Sequence, residues 1–154
     1  MVLAALEGER AQTHGAPRLA IVAGAAIVVA SVLNTVGVFS EVAIHWTNWL
    51  VSFAIVAVAA VIVFGWFVRR AIRRPATAWR AGLVFSVLGL LTVVAFWSGL
   101  PPIFAAAGMY LGFTSYRDST TRTARRAGIG VLTLGAVALA LDVVFYASDV
   151  ATRL

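Results

Sequence analysis

Asp142 is the one acidic residue set inside a long apolar run, Ala127 to Ala147. A carboxylate in hydrocarbon is costly, so groups of this kind bind a proton or cation, pair with another group, or lie near the lipid–water boundary. Asp142 stands about five residues from the end of its run, roughly 8 Å along a helix axis. That position predicts an interfacial or hydrogen-bonded carboxylate, with proton or cation binding as the alternative. Glu41, His45, Asn48 and Asp149 fall toward the same side, with Asn34 and Thr35 slightly deeper. Carboxylates and histidine are donors that a divalent metal accepts. Glu41 and His45 nevertheless lack the second histidine of an HExxH helix, so they read as part of a solvated loop and no metal is expected. Asp142, Asn34, Glu41 and His45 together form the candidate polar or ion site.

Other chemistries are excluded early. The chain has no cysteine, which removes disulfides, thiol catalysis and iron–sulfur clusters. It contains no P-loop, GxGxxG or GxSxG stretch, so neither enzymatic activity nor a cofactor is expected.

The chain has 12 basic residues, and all of them are arginine. Five of them, Arg69, Arg70, Arg73, Arg74 and Arg80, surround Pro75, and four more, Arg117, Arg122, Arg125 and Arg126, form a second cluster. In a soluble chain a pI near 11.3 would point to nucleic acid. Here the clusters separate apolar runs, which is the pattern that orients a membrane protein, and no nucleic-acid partner is expected. Arg69, Arg70, Arg73, Arg74, Arg125 and Arg126 are candidate contacts for anionic lipid headgroups, each basic residue near the surface contributing on the order of 1 kcal/mol. Ser115, Ser119, Thr120, Thr121 and Thr123, set among the second cluster, read as solvated loop residues rather than sites of phosphorylation.

The elements that must position these residues follow from the apolar runs. The chain is 62% hydrophobic and 12% charged, whereas an ordinary soluble domain is about 45–50% apolar and about 25% charged. An all-α integral membrane bundle is therefore expected. Five runs suit helices of roughly 20 residues: 19–39, 46–68, 81–97, 101–116 and 127–147, between an amino-terminal tail, 1–18, and a short carboxyl tail, 148–154. The first run, at 21 residues, exceeds the apolar region of a secretory signal and reads as a retained helix. The fourth, at 16 residues, reaches only about 24 Å and is either short or re-entrant. The alternative is four spans, with 81–116 crossing once.

Charge placement separates these topologies. With five spans, 11 of the 12 arginines fall on one side, as the positive-inside rule expects of a plasma-membrane protein with a cytoplasmic amino end and an extracytoplasmic carboxyl end. Four spans would put Arg117, Arg122, Arg125 and Arg126 outside. The five-span arrangement also sets Trp46, Trp49, Trp97 and Tyr146 at outer helix ends and Trp66, Trp79 and Tyr116 at inner ends, as two aromatic belts.

Lipid removes the hydrophobic sorting of helix faces, so small residues become the packing signal. Gly108 and Gly112 make a GxxxG pair, Ala26 and Ala30 repeat at the same spacing, and Gly128, Gly135 and Ala138 mark the last run. These positions are expected to pack helices within the chain, with self-association as the alternative.

The stretch FWSGLPPIFAAAGMYLGFTSYR, its basic loop and RRAGIGVLTLGAVALALDVV together resemble the helix-turn-helix unit of small Gly-rich membrane proteins of actinobacteria, whose function is not established. The likeness covers Trp79 to Tyr146 and implies a helical hairpin at Pro101–Pro102 and a plasma-membrane location. The loop Arg117 to Arg126 is longer than the usual member's. The functional expectation is a non-enzymatic helix-packing or interaction module, associating with anionic lipid and with itself or a membrane partner. The alternative is a small transporter or channel subunit using Asp142 and the polar end of span one.

Overall fold

The computed structural model describes residues 21–32 and 46–153, and every element among them is helical. Helix α1 covers Ile21–Val32. Helix α2 covers Trp46–Ile62, widens into a π-helical segment over Val63–Val68 and ends in a last turn, Arg69–Ala71. Helix α3 covers Pro75–Thr92 and tightens into a 3-10 segment over Val93–Ser98. Helix α4 covers Leu100–Asp118, and helix α5 covers Arg122–Arg153.

Proline and glycine set these boundaries. Arg74, which precedes Pro75, is pushed out of the helical region to φ −131° and ψ 75°, because the proline ring crowds a helical predecessor. The helical path is broken there, and Pro75 opens α3, where its missing N–H is not needed. At the other end of α3, Gly99 adopts a left-handed φ of 68°, and Pro101 and Pro102 occupy the first turn of α4.

The helices extend beyond the apolar runs. Helix α3 begins at Pro75 rather than residue 81, so Arg80 is helical, and α5 begins at Arg122. The expected ten-residue loop from Arg117 to Arg126 contracts to a break at Ser119, Thr120 and Thr121. The expected carboxyl tail is helical as far as Arg153. Hydropathy marks where a helix meets lipid, and a helix continues wherever its own hydrogen bonds allow. Helix α4 is one continuous helix of 19 residues, about 28 Å long.

Helix α4 is the axis of the bundle, packing on α3 and α5, which also pack on each other. Ten of its 19 residues are buried. By contrast, Phe53–Ala71, Pro75–Thr92 and Arg122–Asp149 are long and apolar enough to cross a membrane, and each is only 28% buried. Large apolar side chains such as Val61, Trp66, Leu91 and Val94 point outward, while Ser86, Ser115 and Asp142 are fully enclosed. A water-soluble bundle shows the opposite distribution. Helix α4 carries polar and proline residues because its neighbours, rather than lipid, cover it.

The inner contacts rest on small residues. Gly82 lies against Gly108 and Gly89 against Ala105, while Gly112 lies against Gly128 and Gly135 against Met109, so α4 runs antiparallel to both flanking helices. Phe85 links Phe67 of the π segment, 6.1 Å away and edge-on, to Phe104 of α4, 6.3 Å away and stacked. Ala26 and Ala30 of α1 belong to the same buried cluster as Val56, Ala60, Phe64 and Val68 of α2 and its π segment. Gly99 fits beneath Val56 and Ala30 where these helices meet the turn before α4.

Candidate functional site

Helix α5 aligns a continuous inner stripe, Ala124, Gly128, Val131, Gly135, Ala138, Asp142 and Tyr146, at steps of three or four residues. Asp142 therefore points inward. Its side chain is fully buried, and neither carboxylate oxygen has a hydrogen-bond partner among the described residues. The expected hydrogen bond is thus not formed among the described residues: counting along the run gives a depth but not a face.

The surroundings of Asp142 follow from the register. Gly112 sits beside Gly128 and Met109 beside Gly135, which carries Asp142 to the level of the first turn of α4. Helix α5 also packs on the 3-10 segment there. The positive end of the α4 dipole is the favourable feature at that level. One turn onward, Tyr146 is buried rather than turned outward as a belt aromatic. Among the described residues no group of three or more His, Asp or Glu side chains is disposed to hold a metal. A lone carboxyl in this setting suits a proton or a small monovalent cation better than a divalent ion.

Of the other candidate polar residues, Asn34, Glu41 and His45 lie outside the described residues. The packing candidates are all buried: Ala26 and Ala30 face α2, while Gly108 and Gly112 pack against Gly82, Ser86, Gly128 and Leu132 of the same chain. The GxxxG pair is thus occupied within the chain and presents no surface for self-association.

The arginines gather at the opposite end of α5. Ser115 and Ser119 at the end of α4 donate hydrogen bonds to the carbonyl of Pro75 at the start of α3, at 3.0 and 2.9 Å. These bonds bring the turn after α2 and the turn after α4 to one end of the bundle. Arg69, Arg70, Arg73, Arg74, Arg125 and Arg126 are all exposed there. Arg125 lies 5.4 Å above the Tyr116 ring, and Arg80 lies 5.4 Å above Trp79. Of the six lipid-contact candidates, Arg70, Arg73 and Arg74 line a cavity of about 550 Å³, joined by Arg80, which the sequence reading left out, and not by Arg69.

Sequence reasoning also missed Ser86. It is fully buried on α3 and donates to the carbonyl of Val131 on α5 at 3.2 Å. A serine amid apolar residues gives no signal of its partner, although its four-residue spacing from Gly82 places both on one helix face.

No family model, curated protein or solved structure matches this chain.

Proposed function

We propose that this chain is a five-crossing integral membrane protein of the plasma membrane, with its amino end inside and its carboxyl end outside. It acts as a non-enzymatic module that engages the bilayer and a membrane partner. The observation that supports this best is the antiparallel packing of continuous α4 between α3 and α5, which sets both arginine-rich turns at one end. Helix α4 then counts as a crossing although its composition alone would not mark it as one. Four spans would require those turns to face opposite sides.

The small-residue contacts are used internally, so partners meet the apolar outer faces, of which Val58 and Val61 on α2 are representative. Photo-crosslinkers at Val58 and Val61 should capture one partner species, or a second copy, from native membranes. Uniform labelling by lipid alone would oppose a module. Kinship with the small Gly-rich actinobacterial membrane proteins belongs to this proposal and rests on the Gly-Leu-Pro-Pro turn and Gly108/Gly112.

Enclosed Asp142 favours a second reading, a small transporter or channel subunit. In that case proteoliposomes should carry a proton or sodium flux that Asp142→Asn abolishes and Asp149→Asn leaves intact. Vesicles without flux, or flux surviving Asp142→Asn, would remove it.

A further inference from the structure

The cavity between the end of α2 and the start of α3 is lined by Arg70, Arg73, Arg74 and Arg80, with Thr77 and Phe67 among the other walls. Its volume, about 550 Å³, falls within the roughly 300–1,000 Å³ of small-molecule pockets. Four arginines contribute to its wall, and among the described residues none of them is ion-paired with a carboxylate; the ion pair found is Arg117 with Asp118. Guanidinium forks match phosphate oxygens in geometry as well as charge.

Three features suit this cavity to lipid rather than to a soluble anion. The Phe67 wall is half-exposed and continues onto Trp66, so the rim of the cavity joins the apolar outer face of α2. Trp66 and Trp79 bracket Arg70, Arg73 and Arg74 in sequence, and Arg80 follows Trp79 directly; tryptophan beside arginine marks the headgroup layer of a bilayer. Arg74 lies beyond the last turn of α2 with a non-helical backbone, so the chain carrying Arg73 and Arg74 turns there toward α3.

We infer that this cavity is a binding site for an anionic phospholipid whose headgroup carries two phosphates. Four unneutralised cations around one space exceed what a single phosphate charge balances, and basic pockets between membrane helices take headgroups of this kind. The phosphates lie among Arg70, Arg73, Arg74 and Arg80, and an acyl chain leaves along Phe67 and the outer face of α2. This inference rests on the membrane reading above, which places the arginine end at the headgroups.

The test uses the full chain in neutral detergent. Native mass spectrometry and thermal unfolding are followed with added cardiolipin, phosphatidylglycerol, phosphatidylcholine or inorganic pyrophosphate. One cardiolipin should be retained per chain and should raise the unfolding temperature at lower mole fraction than phosphatidylglycerol, while phosphatidylcholine has no effect. Arg70→Gln with Arg74→Gln should weaken cardiolipin about tenfold or more, and the control pair Arg117→Gln with Arg122→Gln should not. Both pairs are exposed, so their lipid-free unfolding temperatures should match the parent, and parent retention of cardiolipin is read without any variant. Equal response to both anionic lipids at equal charge, or equal loss in the two variant pairs, would reduce the effect to diffuse attraction and overturn the site. Pyrophosphate acting as strongly as cardiolipin would overturn the lipid assignment. Failure here leaves side-specific labelling of the turns unaffected, so the two readings fail separately.

Discussion

Substituting Gly112 with alanine tests whether α4 and α5 are held by direct backbone contact. A methyl carbon at Gly112 would stand 2.8 Å from both the Gly128 oxygen and the Leu132 nitrogen, and one at Gly128 would stand 2.6 Å from the Gly112 oxygen and 2.8 Å from the Tyr116 nitrogen. Ordinary contact begins near 3.4 Å, so the helices must part by about 0.6 Å at Gly112. The obstructing atoms are backbone and cannot rotate away. Overpacking of this kind costs typically about 1–3 kcal/mol, against which alanine recovers up to about 1 kcal/mol of helix propensity. The net loss is about 1–2 kcal/mol, a factor of roughly 5–30 in the folding equilibrium. Gly112→Ala and Gly128→Ala should each show this loss in reversible SDS unfolding from mixed micelles, followed by tryptophan fluorescence. The double variant should lose less than the sum, because one separation relieves both contacts. Gly130→Ala, with open space around it, should be neutral or stabilised. Gly112→Ala as harmless as Gly130→Ala, or a strictly additive double variant, would refute the reasoning.

Three other substitutions probe separate joints of the bundle. Gly99→Ala forces an L-residue to φ 68° with its methyl carbon 2.8 Å from Val56 Cγ2, so a loss of at least about 1–2 kcal/mol is expected; an unchanged unfolding temperature would contradict it. Ser86→Ala removes the hydroxyl that reaches the Val131 carbonyl and should lower the unfolding free energy by about 0.5–1.5 kcal/mol, whereas Thr133→Ala, exposed and bonded only to its own helix, should leave it unchanged. Asp142→Asn keeps the volume of the side chain while removing an enclosed ionisable group with no hydrogen-bond partner among the described residues, so unfolding in SDS should occur at the same or higher denaturant; a loss above about 2 kcal/mol would contradict this.

The fold was legible to different depths along the chain. Helical class and the Gly-Leu-Pro-Pro turn could be read because apolar runs, Gly99 and the two prolines act locally. The helix ends could not, since Arg80 and Arg122 continue helices past the apolar residues. Helix α4 looked weakest because hydropathy measures contact with lipid, and this helix is sheathed by α3 and α5. Gly108 and Gly112 announced close packing, but their partners, Ser86 and Leu132 among them, depend on register between helices. Asp142 stood out by residue type, whereas its enclosure depends on the inward phase of α5. The arginine clusters gave a charge asymmetry without showing that Arg80 faces the cavity and Arg69 does not.

The central claim is that α4 crosses the membrane between α3 and α5, and the absence of cysteine permits a direct measurement. Thr120→Cys and Ser148→Cys each introduce a single thiol at an exposed position, on opposite sides of the bilayer in the five-crossing arrangement. In intact spheroplasts a membrane-impermeant maleimide should label Ser148→Cys and leave Thr120→Cys unmodified until the cells are lysed. Labelling of Thr120→Cys in intact cells, with Ser148→Cys protected, would contradict the five-crossing bundle.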